Sequence, residues 1–228
     1  MAGCRGTVCK TERVSRLLVV RHAQSEWNAA GRWQGWSDAP LSEVGVGQAR
    51  SAGRALATGR GPLGLPLDFI ASSDLARARR TAEIVGEEVC YAGSFVIDAD
   101  LREQDLGEWN GLTNEEIVTR WPAELEARRR GGFGPVPGGE GPGHFAERSM
   151  GAIRRLAGGV QSQALVVAHG GVLAVLERAL GCWVEGLRHS NLSGWLLDCR
   201  AGAEDLQLAP LGQVDLLAMS RETVTGRG

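Results

Sequence analysis

Two short stretches carry branched or small apolar residues at every position instead of every second one: LLVV at Leu17 to Val20, and ALVVA running into His169. A strand buried on both faces of a parallel sheet needs that pattern, so each predicts a central strand. Between and after them the pattern changes period. Val44, Ala49, Ala52 and Leu56 recur at helical spacing from Ser42, a suitable N-cap, to about Thr58. A Gly- and Pro-rich loop then leads to a short strand at Asp68 to Ala71, and Ser73 or Asp74 can cap a helix running to about Val89. SFVIDADL supplies a third strand ending near Asp98, followed by an irregular loop, LREQDLGEWNGLT. Thr113 and Glu116 form a capping box for a helix to Arg120, and Pro122 opens the next helix, through Arg130.

Residues 131–143, GGFGPVPGGEGPG, cannot hold regular structure and are expected to be a mobile loop, with a lid as one use. Helical spacing resumes from His144 to Ala157, and Gly170 and Gly171 open the helix VLAVLERAL. WLLD from Trp195 is a late strand. Alternating strands and helices predict one three-layer α/β/α domain with a largely parallel central sheet over residues 17–218, with loose polar tails at 1–16 and 219–228.

Composition narrows the function. A chain of 228 residues with 43% hydrophobic and 23% charged positions can bury a full core, which excludes disordered and fibrous classes. A net charge of −2 gives no general attraction to nucleic acid or acidic lipid, so any basic site is local. No apolar run approaches the roughly 20 residues of a membrane span, and the first residues lack the apolar core of a signal peptide. A soluble cytoplasmic protein, with neither a nucleic-acid nor a membrane partner, is the expectation. The five cysteines include no CxxC pair, so neither a disulfide framework nor a cysteine zinc site is expected.

Two of the four histidines, His22 and His169, stand immediately beyond the buried strands, where open α/β sheets bind ligands. A polar residue must end any buried strand, and one histidine there would mean little. Two histidines in that position point to a shared site. Arg21 adjoins His22; Arg77, Arg79 and Arg80 lie in the first turns of the helix after the second strand; Glu103 lies in the loop after the third. Guanidinium forks match phosphate oxygens, so a phosphate dianion is the natural partner. Spacing alone does not choose among the three helix arginines.

RHAQSEWNAAGRWQGWSDAPLSEVGVGQA resembles the signature segment of the histidine phosphatase superfamily, also called the phosphoglycerate-mutase-like family. SSDLARARRTAEI, LREQDLGEWNGLT and VVAHGGVL agree with it in the same order, so the resemblance covers about residues 17 to 198. It implies that His22 is the nucleophile, that Arg21, Arg77 and His169 complete a phosphate pocket, and that Glu103 is the proton donor. It further implies that Asn28 and Gln34 touch the phosphate, that Gly170 offers it a backbone N–H, and that Asn191 borders the pocket. Trp33 and Trp36 flank the phosphate loop and Trp109 follows the acid; stacking on substrate and core packing are equally open for them. Glu140 matches a PGGE element that could orient a substrate hydroxyl, against the default of a solvated loop carboxylate. Ala23 departs from the more usual glycine.

The implied reaction is metal-independent hydrolysis of a small phosphorylated metabolite through a phosphohistidine, with no cofactor. Family mutases carry an extra proline-rich segment between acid and second histidine; only 66 positions run from Glu103 to His169 here. AHGG also resembles the phosphatase branch more than the mutase pattern AHGNS. Mutase-type transfer is the alternative reading, and a phospho-ligand binding protein without turnover is another. A metal hydrolase built on His22, His169 and an acid lacks any HxH or HExxH spacing. Family members are often dimers, which makes a homodimer one expected assembly.

Overall fold

The apolar runs become the middle of a six-stranded sheet. In this computed structural model, which describes residues 15–59, 61–131, 134, 136–184, 188–201 and 206–225, the elements run β1 (Ser15–Arg21), α1 (Glu26–Ala29), α2 (Glu43–Ala57), β2 (Ile70–Ser72), α3 (Ala76–Glu88), β3 (Phe95–Ile97), α4 (Asn114–Arg120), α5 (Pro122–Gly131), α6 (Pro142–Gly159), β4 (Gln163–Ala168), α7 (Gly170–Ala179), β5 (Ser193–Ala201), β6 (Leu206–Asp215) and α8 (Leu216–Thr225). Single 3-10 turns at Ala99–Leu101 and Gly107–Trp109 interrupt the loop after β3. The sheet order is β3-β2-β4-β1-β5-β6. β1, β2, β3 and β4 pair in parallel, whereas β5 and β6 add an antiparallel edge.

Leu17 to Val20 are fully buried, as are Ala164 to Ala168. Their side chains alternate between two cores: Leu17 and Val19 pack with α6 and α7, Leu18 and Val20 with α2, α3 and α8. That alternation makes the three layers, as expected. A third small core of Leu106, Trp109, Ile117, Leu125 and Val136 sits under α4 and α5. No helix among the described residues is long and apolar enough to cross a membrane.

Several boundaries differ from the sequence reading. β2 starts at Ile70 because Asp68 is spent on a turn, its Oδ2 accepting N–H groups from Gln161, Ser162 and Gln163 at 2.6 to 3.0 Å. Neither Ser73 nor Asp74 is the N-cap of α3. That position is Leu75, and the first helical N–H, on Ala76, is satisfied from a distance by Asp38 Oδ1 at 2.6 Å. Asp74 is instead paired with Arg102. Ser42 and the Thr113–Glu116 capping box do cap α2 and α4.

Of the expected mobile loop 131–143, residues 132, 133 and 135 lie outside the described residues. Gly131 ends α5, Pro142 and Gly143 already belong to α6, Val136 is buried, and Pro137 accepts the N–H of Glu108. The expected tail from 219 continues as α8 to Thr225 after a strand, β6, that the pattern did not announce. Of the tail expected at 1–16, residues 1–14 lie outside the described residues, and Ser15 and Arg16 already belong to β1.

Candidate active site

β1 and β4 are adjacent, parallel and in register, with Arg21 opposite Ala168. The next residue of each strand is a histidine, so His22 and His169 leave the sheet side by side at its carboxyl edge. Their ring centroids are 5.2 Å apart at an interplanar angle of 61°. Both are buried, and both line one cavity of about 320 Å³ with Arg21, Arg77 and Glu103.

The neighbouring groups set the protonation of the rings. His22 Nδ1 lies 2.6 Å from the carbonyl oxygen of Ala23, which can only accept, so Nδ1 carries the proton and Nε2 keeps its lone pair. Burial, followed by the charges of Arg77 and Arg21, holds the His22 imidazole well below its ordinary value. Burial and Arg77 act on His169 in the same direction, and neither of its ring nitrogens has a hydrogen-bond partner among the described residues. Both rings are therefore neutral at neutral pH. The methyl of Ala23 is fully buried and its N–H reaches Thr81 Oγ1 at 3.1 Å, so the departure from glycine is accommodated.

The two arginines are held by backbone. Arg77 donates to the carbonyls of Ser37 and Gly35, each at 2.8 Å, and Arg21 Nη1 to that of His189 at 2.6 Å. Carbonyl partners orient a guanidinium without neutralising it. The Nε of each is buried without a partner among the described residues, leaving both charges available to an anion. Burial lowers the Arg21 guanidinium and pulls Arg77 down to about 10, with both still cationic at neutral pH. Arg79 and Arg80 pair with Glu83 on the exposed face of α3, so the structure selects Arg77 from the three.

Glu103 is seated against the start of α7. Its Oε2 accepts the N–H of Gly171 at 2.9 Å and its Oε1 that of Gln104 at 2.8 Å. A Cβ at Gly171 would stand 2.0 Å from Glu103 Oε1, so the seat requires glycine. The backbone of Glu103 is clamped from behind: its carbonyl accepts from Trp36 Nε1 and from Arg148 Nη2, both at 2.8 Å. Arg148 also donates to the carbonyls of Asp100 and Arg102 and forks onto both oxygens of Glu140 at 2.7 Å.

Of the other sequence candidates, Asn28, Trp33, Gln34 and Gly170 line the cavity. Asn191 is not among its lining residues; its Nδ2 donates to the His22 carbonyl at 2.8 Å, one step behind the pocket. Trp33 donates to Asn114 and meets Trp109 edge-on, while Trp109 is fully buried in the third core. Glu140 is neither a solvated carboxylate nor a cavity residue. Burial raises its carboxyl, and Arg148 with His144 outweighs that and holds it below its ordinary value.

Arg32, Asn114, Arg128 and Arg188 also stand at the cavity wall, and neither they nor the Arg148 clamp were among the sequence candidates. The spacing Glu140, His144, Arg148 across the start of α6 was the available signal for the clamp. Nothing in the local pattern marks the four wall residues.

The family model of the histidine phosphatase superfamily (branch 1) matches residues 17–209. A glucosyl-3-phosphoglycerate phosphatase of Mycolicibacterium vanbaalenii is 39% identical over 176 residues, 74% of this chain and 75% of that one. A 2,3-bisphosphoglycerate-dependent phosphoglycerate mutase of a Methylobacterium species is 35% identical over 187 residues, 79% of this chain and 86% of its own. Among solved structures, the mycobacterial glucosyl-3-phosphoglycerate phosphatase in complex with VO3 superposes with a TM-score of 0.74 at 30% identity, covering 87% of this chain and 98% of that one.

Proposed function

This chain belongs to the histidine phosphatase superfamily, and we propose that it hydrolyses small phosphomonoesters through a phosphohistidine formed on His22. The observation that carries the reading is the pair of neutral imidazoles 5.2 Å apart on one cavity wall with two backbone-oriented arginines.

In the first step Nε2 of His22 attacks phosphorus in line and the ester P–O bond breaks. The leaving oxygen takes the proton of Glu103 and departs as an alcohol. Nδ1 keeps its proton, and its bond to the Ala23 carbonyl strengthens as the phosphorylated ring becomes cationic. In the second step Glu103 removes a proton from water, whose oxygen attacks phosphorus. The P–N bond breaks, orthophosphate leaves and His22 regains its lone pair. Arg21, Arg77, His169 and the N-terminus of α7 at Gly170 hold the equatorial oxygens throughout, which is where most of the rate acceleration of phosphoryl transfer arises. The chemistry runs on protein groups alone.

Substrates of the proposed class are phosphorylated metabolites such as sugar phosphates or phosphoglycerate derivatives, with the cytoplasm as the place of action. The names of the relatives support the phosphoglycerate end of that range, as does a cavity lined by five arginines and a single carboxylate. The short span from Glu103 to His169 supports hydrolysis over mutase transfer. A screen of sugar phosphates, phosphoglycerates, nucleotides and phosphoamino acids, followed by rapid quench to trap an acid-labile phosphoenzyme, tests the reading. Release of phosphate by wild type, with neither release nor trapping in a folded His22→Ala variant, is the expected result. Full turnover by that variant would overturn it.

A further inference from the structure

Two buried polar groups play no part in the chemistry above. Glu177 lies on the inward face of α7, beside Leu173 and Leu176, and is 1% exposed. A carboxylate there is strongly unfavourable unless it is partnered. Its Oε1 accepts from Trp195 Nε1 at 2.8 Å and lies 3.1 Å from His189 Nε2, a close electrostatic contact off the hydrogen-bond direction. The His189 side chain is itself only 7% exposed.

From His189 the chain runs as a short strap across the ends of β1 and its nucleophile. The His189 carbonyl accepts from Arg21 Nη1 at 2.6 Å, Asn191 Nδ2 donates to the His22 carbonyl at 2.8 Å, and the Leu192 N–H closes on the Arg21 carbonyl at 2.9 Å. Leu192 is fully buried with φ of +60°, a left-handed conformation that a leucine adopts only where its surroundings impose it. The first of these grips, the His189 carbonyl on Arg21, is the one set directly by where the strap begins, and the side-chain anchor there is Glu177.

We propose that Glu177 and His189 are positioning residues for phosphate binding: the buried carboxylate holds the His189 imidazole, and through it the backbone carbonyl that aims the Arg21 guanidinium at the anion. This rests on the phosphatase reading in taking a phosphoryl group as what Arg21 holds. Neither residue touches substrate. Each acts only through Arg21, and that sets them apart from residues that merely stabilise the fold.

The test is titration calorimetry of the full-length protein with orthovanadate, which mimics the five-coordinate phosphoryl group and binds tightly enough to leave a measurable range. His189→Ala is expected to weaken vanadate binding about tenfold, toward the lower end of what a mis-set hydrogen bond to a charged group produces. In an Arg21→Ala background the same change is expected to have no further effect. His189→Gln, whose amide can reach Glu177, should restore part of the loss. Unchanged vanadate affinity in folded His189→Ala overturns the proposal, and so does an equal loss in the Arg21→Ala background, because the role is then general. Should His189→Ala not fold, Glu177→Gln carries the same cycle, since it keeps an acceptor for Trp195 and removes the charge facing His189. Equal binding by Glu177→Gln and wild type overturns the proposal too. A wild type that binds no vanadate refutes the phosphatase reading itself.

Discussion

Replacing Gly171 by alanine should separate the proton-transfer role of Glu103 from phosphate binding. A Cβ at that position would stand 2.0 Å from Glu103 Oε1 and 3.0 Å from Phe145 Cζ. To open even a 3.0 Å gap, the closest approach that real Cβ atoms show, the carboxylate must withdraw by at least 1.0 Å. A withdrawal of the whole group on that scale breaks the 2.9 Å bond from the Gly171 N–H to Oε2 and disturbs the bond from the Gln104 N–H to Oε1. The atom that gives way is the far end of a flexible side chain, and alanine is about 1 kcal/mol better than glycine within a helix, so global stability should barely change. Chemistry should change far more. A misplacement on the scale of 1 Å is worth about 10²-fold in rate, within the 10²–10⁴ that positioned acid–base catalysis contributes. The loss should depend on the leaving group: about 10²-fold in kcat/KM for an alkyl phosphate, whose alkoxide needs a proton, and much less for p-nitrophenyl phosphate, whose phenolate leaves unaided. Steady-state kinetics on both esters with a thermal melt of the variant is the assay. Equal losses on the two esters, or none on either, would refute the assignment of Glu103 and its seat.

Acid should destabilise the fold through the paired histidines. Both native rings are held well below the ordinary histidine value, chiefly by burial, so below about pH 6.5 the unfolded chain binds protons that the native state does not. Stability is retained above that value and falls as pH drops through it, by up to roughly 1.4 kcal/mol per histidine per pH unit; urea denaturation at pH 7.5 and 5.5 should show this, with a smaller slope in His169→Gln. Arg148→Ala strips Glu140 of its fork and removes a donor from the carbonyls of Asp100, Arg102 and Glu103, so a destabilisation of about 3–5 kcal/mol is expected by the same denaturation. An unchanged midpoint would show that the clamp carries no weight. Chelators should leave turnover intact: no cluster of three His, Cys, Asp or Glu side chains suited to a metal occurs among the described residues. Activity lost to a chelator and restored by a divalent cation would count against the phosphohistidine route.

Features that depend on local pattern were legible in the order of the residues. A short unbroken run of branched apolar residues between turn signals fits a central strand, and a histidine just past each of two such runs then falls at the sheet's carboxyl edge. The paired rings of His22 and His169 were therefore legible as strand plus histidine, once β1 and β4 were neighbours in register. The capping box at Thr113 and the N-cap at Ser42 were equally local. The resemblance to a known family then picked Arg77 from three neighbouring arginines, which spacing could not do.

Whatever rests on partners far along the chain emerged only with the folded arrangement. Glu140 sits in a Gly- and Pro-rich segment that reads as solvated, yet Arg148 and the turn at Asp105 bury it. α3 is capped by Asp38, nearly forty positions upstream, so no local signal marked its start. β6 carries Pro210 and Gly212 and is half-exposed, and as an edge strand it has only one neighbour, β5, to hold it in place. Arg148, Glu177 and His189 look incidental in one dimension, and Asn191 reads as a pocket residue when it grips the His22 carbonyl from behind, because each acts on a backbone carbonyl or side chain that the fold alone brings within reach. Burial patterns are written into consecutive residues, whereas hydrogen bonds between distant segments exist only after the chain has closed on itself.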